Sequence, residues 1–217
     1  MKQMGLVFKM YASMSEGERW PQLARNTEIW APDIAQIFPE FLSDPTTLVA
    51  REHPAYDAIV SCLNLALAEP RPDFETAAGL MAMSFAYLDC SVIDEPGFRA
   101  MATARRQGLL DGSIATVTIP DSAQAVFPMR EEIGCDFLGR APQDPGPKLP
   151  GTQSARPVLI ETWGWKNKSS PRGFNGAHVL YMDGHVEFVK LGTFPVVPEV
   201  MDVLSGIAGT QNELLRP

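Results

Sequence analysis

The chain has 217 residues, 45% hydrophobic and 20% charged, enough to bury a sizeable core as one globular domain spanning 1–217. A net charge of −8 argues against a nucleic-acid surface, because phosphate backbones require a basic face. No stretch reaches the roughly 20 apolar residues of a membrane span, and no charged leader with a cleavage site opens the chain.

Met4, Val7, Phe8, Tyr11 and Met14 recur at helical spacing, with Lys2, Lys9 and Ser13 off that face. They predict a first helix that docks on the core and stops near Gly17. Asp33 suits the cap of a short helix over Ile34 to Phe38, which Pro39 ends, and Asp44-Pro45 starts another turn. Tyr56 to Ala68 reads as a helix with Ile59, Leu63 and Ala66 on one face, closed by the Pro70 and Pro72 break. Ser84 to Val92 is compatible with a strand. Pro96 to Gln107 reads as a helix, with proline in the first turn and Gly108 past the end. Arg99, Arg105 and Arg106 are expected on its solvated face. Ile114 to Ile119 reads as a short strand. Four prolines in Ala141 to Gly151 make that segment a loop. Pro157 to Trp163 reads as a buried strand, and Met201 to Ile207 as at most a short helix.

The C-terminal run from Gly176 to Lys190 is a β-hairpin around Asp183-Gly184. A two-residue type I′ turn there pairs Tyr181 with Val186, Leu180 with Glu187 and Val179 with Phe188. That register puts Val179, Tyr181, Val186 and Phe188 on one apolar face, to be buried. The opposite face then carries His178 and His185, with Cβ atoms roughly 13 Å apart, too far to share a metal. Helices first and strands last argue an α+β fold with an antiparallel sheet.

No motif of a known catalytic type appears: no nucleophile elbow, phosphate-binding glycine loop, zinc-binding His-Glu-x-x-His or Cys-x-x-Cys. Cys62, Cys90 and Cys135 fit no metal spacing, their pairing is open, and buried free thiols are the plain expectation. His185 and Glu187 share a strand face but need further ligands to hold a metal. Along an extended strand, Glu161, Trp163 and Trp165 share a face and form a candidate platform for a glycan. The simpler expectation is that both tryptophans seal the core. Asn167-Lys168-Ser169 is a glycosylation sequon that carries meaning only outside bacteria.

The hairpin resembles the C-terminal signature of bacterial prepilin-type, pseudopilin-like proteins with an H-X9-DG processing-associated domain. Gly176-Ala177, Val179-Leu180 and Asp183-Gly184-His185-Val186 match that signature. The family's first histidine falls on Gly173 and its asparagine on His178, so no role of those residues transfers. Lys2 to Leu6 and Met10 to Ala12 are similar to the second half of the family's N-terminal helix. Trp30 to Pro45 is similar to its Tyr-Pro-Glu-Tyr-Leu-Ser-Asp region, although Ala50-Arg51-Glu52 replaces a segment where relatives carry cysteine.

The resemblance implies a pilin-like fold: an N-terminal helix, of which 1–16 is a remnant, packed on an antiparallel sheet with a C-terminal hairpin and an irregular helical insertion. It implies a non-enzymatic assembly subunit of a type II secretion or type IV pilus-like system. Its partners would be itself or other pseudopilin subunits through the N-terminal helix. The membrane would be reached only through a hydrophobic first half removed ahead of Lys2, which would place a periplasmic or cell-surface head on the inner membrane. By analogy with calcium-holding secretion pseudopilins, Asp183 and Asp202 are calcium candidates, and no other cofactor is expected. The alternative is an extracytoplasmic carbohydrate-binding module on a pilin-like anchor.

Overall fold

The computed structural model describes residues 1–68, 70–107, 117–118, 125–126, 129, 153–165 and 174–206. The expected loop at 141–151, the sequon and Cys135 lie outside these residues.

Among the described residues there are six helices: α1 (Lys2–Met14), α2 (Ile34–Ile37), α3 (Tyr56–Ala66), α4 (Phe74–Ala82), α5 (Glu95–Arg106) and α6 (Pro198–Ser205). Side chains that compete for backbone N–H groups start several of them. Asp33 accepts from Ala35, Asp73 from Thr76 and Asp94 from Gly97. Asp44 does the same for Thr46 at the head of a 3-10 turn over Pro45–Leu48. Helix α4 was absent from the sequence expectation. Every residue from Ala77 to Ala82 in it is buried, so it shows no polar face to betray a period. Helix α6 begins at Pro198, three residues earlier than expected, because proline is pre-set for a first helical turn.

The strands are β1 (Phe85–Tyr87), β2 (Val117–Thr118), β3 (Ala125–Val126), β4 (Pro157–Glu161), β5 (Gly176–Tyr181) and β6 (Val186–Lys190). Four of them form one antiparallel sheet in the order β1-β4-β5-β6, while β2 and β3 pair separately. The molecule is therefore mixed helix and antiparallel sheet, as the segregation of helical and strand patterns suggested.

Helix α1 lies on the sheet. Met4, Gly5, Val7, Phe8 and Ala12 are its buried residues. The ring of Phe8 sits 4.9 Å from Tyr87 and 5.9 Å from Trp20. A Cβ built on Gly5 would lie 3.1 Å from Leu180 Cδ1, so glycine sets how closely helix and sheet approach. Met14, expected inward, is 70% exposed. At about 100° per residue it falls in line with Met10 rather than with Met4 and Phe8.

The hairpin corrects the expected register. Its loop has three residues, Met182-Asp183-Gly184. Gly184 N–H donates to Tyr181 O at 2.9 Å, and Tyr181 N–H donates to His185 O at 2.9 Å. Gly184, at φ +92°, supplies the left-handed residue of a type I turn with a G1 bulge, a geometry that the Asp-Gly pair serves as well as type I′. The pairs are therefore Leu180 with Val186, Val179 with Glu187 and His178 with Phe188. A one-residue slip exchanges faces for a whole strand. Phe188 thus leaves the side of Val179 and Tyr181 and stands 50% exposed. His178 and His185 lie on opposite faces.

Candidate functional site

Among the described residues, several chemistry-bearing side chains meet at the end of β4. Glu161 stands directly across from His178 once the β4–β5 register is followed one step beyond Ile160 and Val179. Its Oε2 accepts from the His178 backbone N–H at 3.2 Å and lies 2.7 Å from His178 Nδ1. Its Oε1 accepts from Trp163 Nε1–H. The carboxylate thus stands in for the next rung of a strand that has just ended. Its side chain is 14% exposed and that of His178 is 55% exposed. The Phe188 ring meets His178 edge-on at 5.4 Å, and His53 lies 6.0 Å from the Trp163 ring. Burial lowers the His53 pKa, and its Nδ1 accepts from Ala55 N–H at 3.1 Å.

Each member of this group has a structural occupation. Glu161 caps the sheet and orients the His178 ring. Phe188 covers a glycine: a Cβ on Gly176 would sit 2.8 Å from the Phe188 ring. No hydroxyl or thiol nucleophile stands beside His178 among the described contacts. The group can hold a ring in place and present His178 Nε2 outward.

The expected tryptophan platform takes a different form. The strand ends at Glu161, two residues short of its expected limit, because a turn follows. Trp165 N–H donates to Thr162 O at 3.2 Å, and Gly164 at φ +87° provides the positive φ of a type II turn. The turn sends the two rings to separate partners. Trp163 joins Glu161 and His53. Trp165 donates from Nε1 to Asp202 Oδ1 at 2.9 Å and packs edge-on against Phe174 at 4.9 Å. Both are half-buried.

At the hairpin tip, Asp183 Oδ1 accepts from His185 N–H at 3.0 Å and lies 2.6 Å from His185 Nδ1. Glu187 Oε2 stands 3.9 Å from the other ring nitrogen, Nε2. The two carboxylates flank the imidazole on opposite sides, so they do not converge on one point. Tyr181 stacks on His185 at 4.4 Å. Asp183 and Asp202 thus have separate bonding roles. Among the described residues no three His, Cys, Asp or Glu side chains come together as a metal cluster would require.

Arg105, expected on a solvated face, is buried instead. Its Nη2 lies 3.0–3.1 Å from the carbonyls of Ala24, Asn26 and Ile29, and its Nε donates to Thr27 O at 3.1 Å. The guanidinium also lies over Trp30, with Cζ 5.3 Å from the ring centroid. Nearby Asp89 accepts from Leu23 N–H at 3.2 Å. Burial raises the Asp89 pKa against that hydrogen bond and the Arg105 charge. Burial and the Asp89 carboxylate together push the Cys90 thiol well above its usual range. Cys90 is thus an inert core thiol, and Cys62 is half-buried and free. This buried polar knot fixes the 20–33 segment to α5. It offers no access for a substrate.

Two surface features stand out among the described residues. An open groove of about 300 Å³ runs between α5 and α6, floored by Phe98, Ala102, Val200 and Val203 and edged by Arg99 and Arg106. On α1, Leu6, Met10 and Met14 are 61%, 43% and 70% exposed, forming an apolar stripe at four-residue spacing on the side away from the sheet. The inward period of α1 was legible in the sequence. The second, outward apolar row was there too, hidden because Met14 was counted with the first.

No family model, no curated protein and no solved structure matches this chain. Among the described residues no helix is long and apolar enough to cross a membrane.

Proposed function

We propose that this chain is the globular head of a pilin-like assembly subunit, in which α1 is the link to neighbouring subunits and to a membrane segment. The observation that carries this reading is the two-sided character of α1. One side is used up against the sheet through Phe8, Tyr87 and the Gly5–Leu180 contact. The other side exposes Leu6, Met10 and Met14. A helix that only sealed a core would carry polar residues there. An apolar row on a helix already packed elsewhere is what helix–helix association between subunits requires. The antiparallel sheet beneath it, closed by the Gly176–Lys190 hairpin, accords with the resemblance in motif order described above.

The glycan alternative gains no observation of its own, since Trp163 and Trp165 each spend their Nε1–H on a carboxylate and face different neighbours.

The test is to read the gene immediately ahead of the codon for Lys2. The expected result is a run of about 20 apolar codons behind a short basic leader. A reading frame that opens at Met1 overturns the proposal.

A further inference from the structure

Asn175-Gly176 is the one asparagine–glycine pair in the sequence, and its setting is unusual for a residue at the head of a strand. Asn175 is exposed. Its carbonyl accepts from Leu191 N–H at 2.9 Å, which makes Asn175 and Leu191 a hydrogen-bonded rung. Tyr181 and His185 are another, six residues along. Hydrogen-bonded and non-bonded pairs alternate along an antiparallel ladder. The Gly176–Lys190 pair is therefore non-bonded, and Gly176 N–H points away from β6, towards the side of β4. But β4 stops at Glu161, where the turn at Thr162–Trp165 begins, short of the position across from Gly176. The Glu161 carboxylate serves the next N–H along, that of His178. Among the described residues the Gly176 amide is thus left outside both ladders, next to an exposed carboxamide, with no Cβ to block its approach.

We infer that Asn175 is a site of spontaneous deamidation in the folded protein. The Gly176 backbone nitrogen attacks Asn175 Cγ, forming an N–Cγ bond and closing a succinimide ring. The Cγ–Nδ2 bond breaks, and the amide proton leaves with the nitrogen as ammonia. Solvent water then opens the ring at either carbonyl, giving aspartate or isoaspartate, with no change of oxidation state. Either product adds one negative charge at the base of β5. Isoaspartate also inserts a methylene into the main chain, at the residue whose carbonyl holds Leu191. The modification therefore weakens the open end of the hairpin, the end opposite the Asp183-Gly184 turn. Asn26, Asn64, Asn167 and Asn212 are each followed by a residue with a side chain, so conversion is expected to be selective.

The test is peptide mapping of the full chain held folded in mildly alkaline buffer, beside the same chain unfolded in urea. The expected result is progressive loss of the Asn175 peptide in favour of aspartate and isoaspartate forms in the folded sample, at a rate comparable to that in urea. Asn175→Gln, an exposed change that leaves the ladder intact, should abolish the conversion. Retention of Asn175 in the folded chain over the time that the unfolded chain converts fully overturns the inference. So does equal conversion at the other asparagines.

Discussion

Arg105→Ala should be among the most damaging single substitutions away from the apolar core. The wild-type guanidinium serves four carbonyls of the 24–29 segment, of which those of Ala24 and Ile29 are buried. Removing it leaves these two without their donor, at about 1–3 kcal/mol each. The Asn26 and Thr27 carbonyls are nearer the surface and can turn to water. Relief of the burial that lowers the Arg105 pKa returns part of the cost, and loss of the positive charge beside Asp89 adds to it. The net expectation is about 3–5 kcal/mol, in the range for breaking a buried charged network from one side. Arg105→Lys keeps the charge but replaces a planar fork with a point donor, so it should fall between wild type and alanine. Urea unfolding followed by tryptophan fluorescence reads this directly, because Trp30 lies under the guanidinium. With an m-value of about 2–3 kcal/mol per molar, the midpoint of Arg105→Ala should drop by about 1 M or more. An alanine variant within about 0.5 kcal/mol of wild type, the size of an ordinary surface change, would refute the view that Arg105 organises this segment.

Three further outcomes are expected. Gly176→Ala places a Cβ 2.2 Å from the Val189 carbonyl oxygen, so β6 must shift; the cost should be about 1–3 kcal/mol by the same unfolding assay, and an unchanged midpoint would contradict the packing at the hairpin base. His53 has a folded pKa below its ordinary 6.5, so the stability it contributes is present above that value and is lost as pH falls through the folded pKa. His53→Asn keeps an acceptor for Ala55 N–H without a titrating ring and should flatten the loss of stability between pH 7 and acid in thermal melts; an identical slope in both proteins would exclude His53 as a source. Met10→Glu should leave the unfolding midpoint within about 0.5 kcal/mol of wild type, since Met10 is exposed. In full-length protein carrying any upstream segment it should abolish subunit cross-linking through α1, and undiminished cross-linking would separate the stripe from assembly.

Much of the fold was legible because its signals are local. Asp33 and Asp44 announce their turns by side-chain chemistry, α3 shows a clear apolar face, and Pro96 marks the first turn of α5. What was not legible depended on contrast or on distance. Helix α4 carries a run that is buried on all sides, so no face stood out. The hairpin loop could close on two or three residues around the same Asp-Gly pair, and that choice reassigned the faces of its strands. The Glu161–His178 contact follows from the β4–β5 register, set by elements that the sequence separates. Arg105 was misplaced for a related reason: charge marks a surface position unless the chain returns its own carbonyls to meet it, and that return is made by residues almost 80 positions earlier.

The Gly5–Leu180 contact has a consequence for the protein while it is being made. About 175 residues separate the two positions. At ribosomal rates of about 5–20 residues per second, α1 waits on the order of 10–30 s for the strand that closes against Gly5. During that interval the outward row is open, and so is the Gly5 side of the inner one, although Trp20 and Tyr87 are already made to meet Phe8. The interval of greatest exposure for α1 therefore falls before Leu180 is made. A membrane or a chaperone that occupied α1 from the start would shield the nascent chain through it.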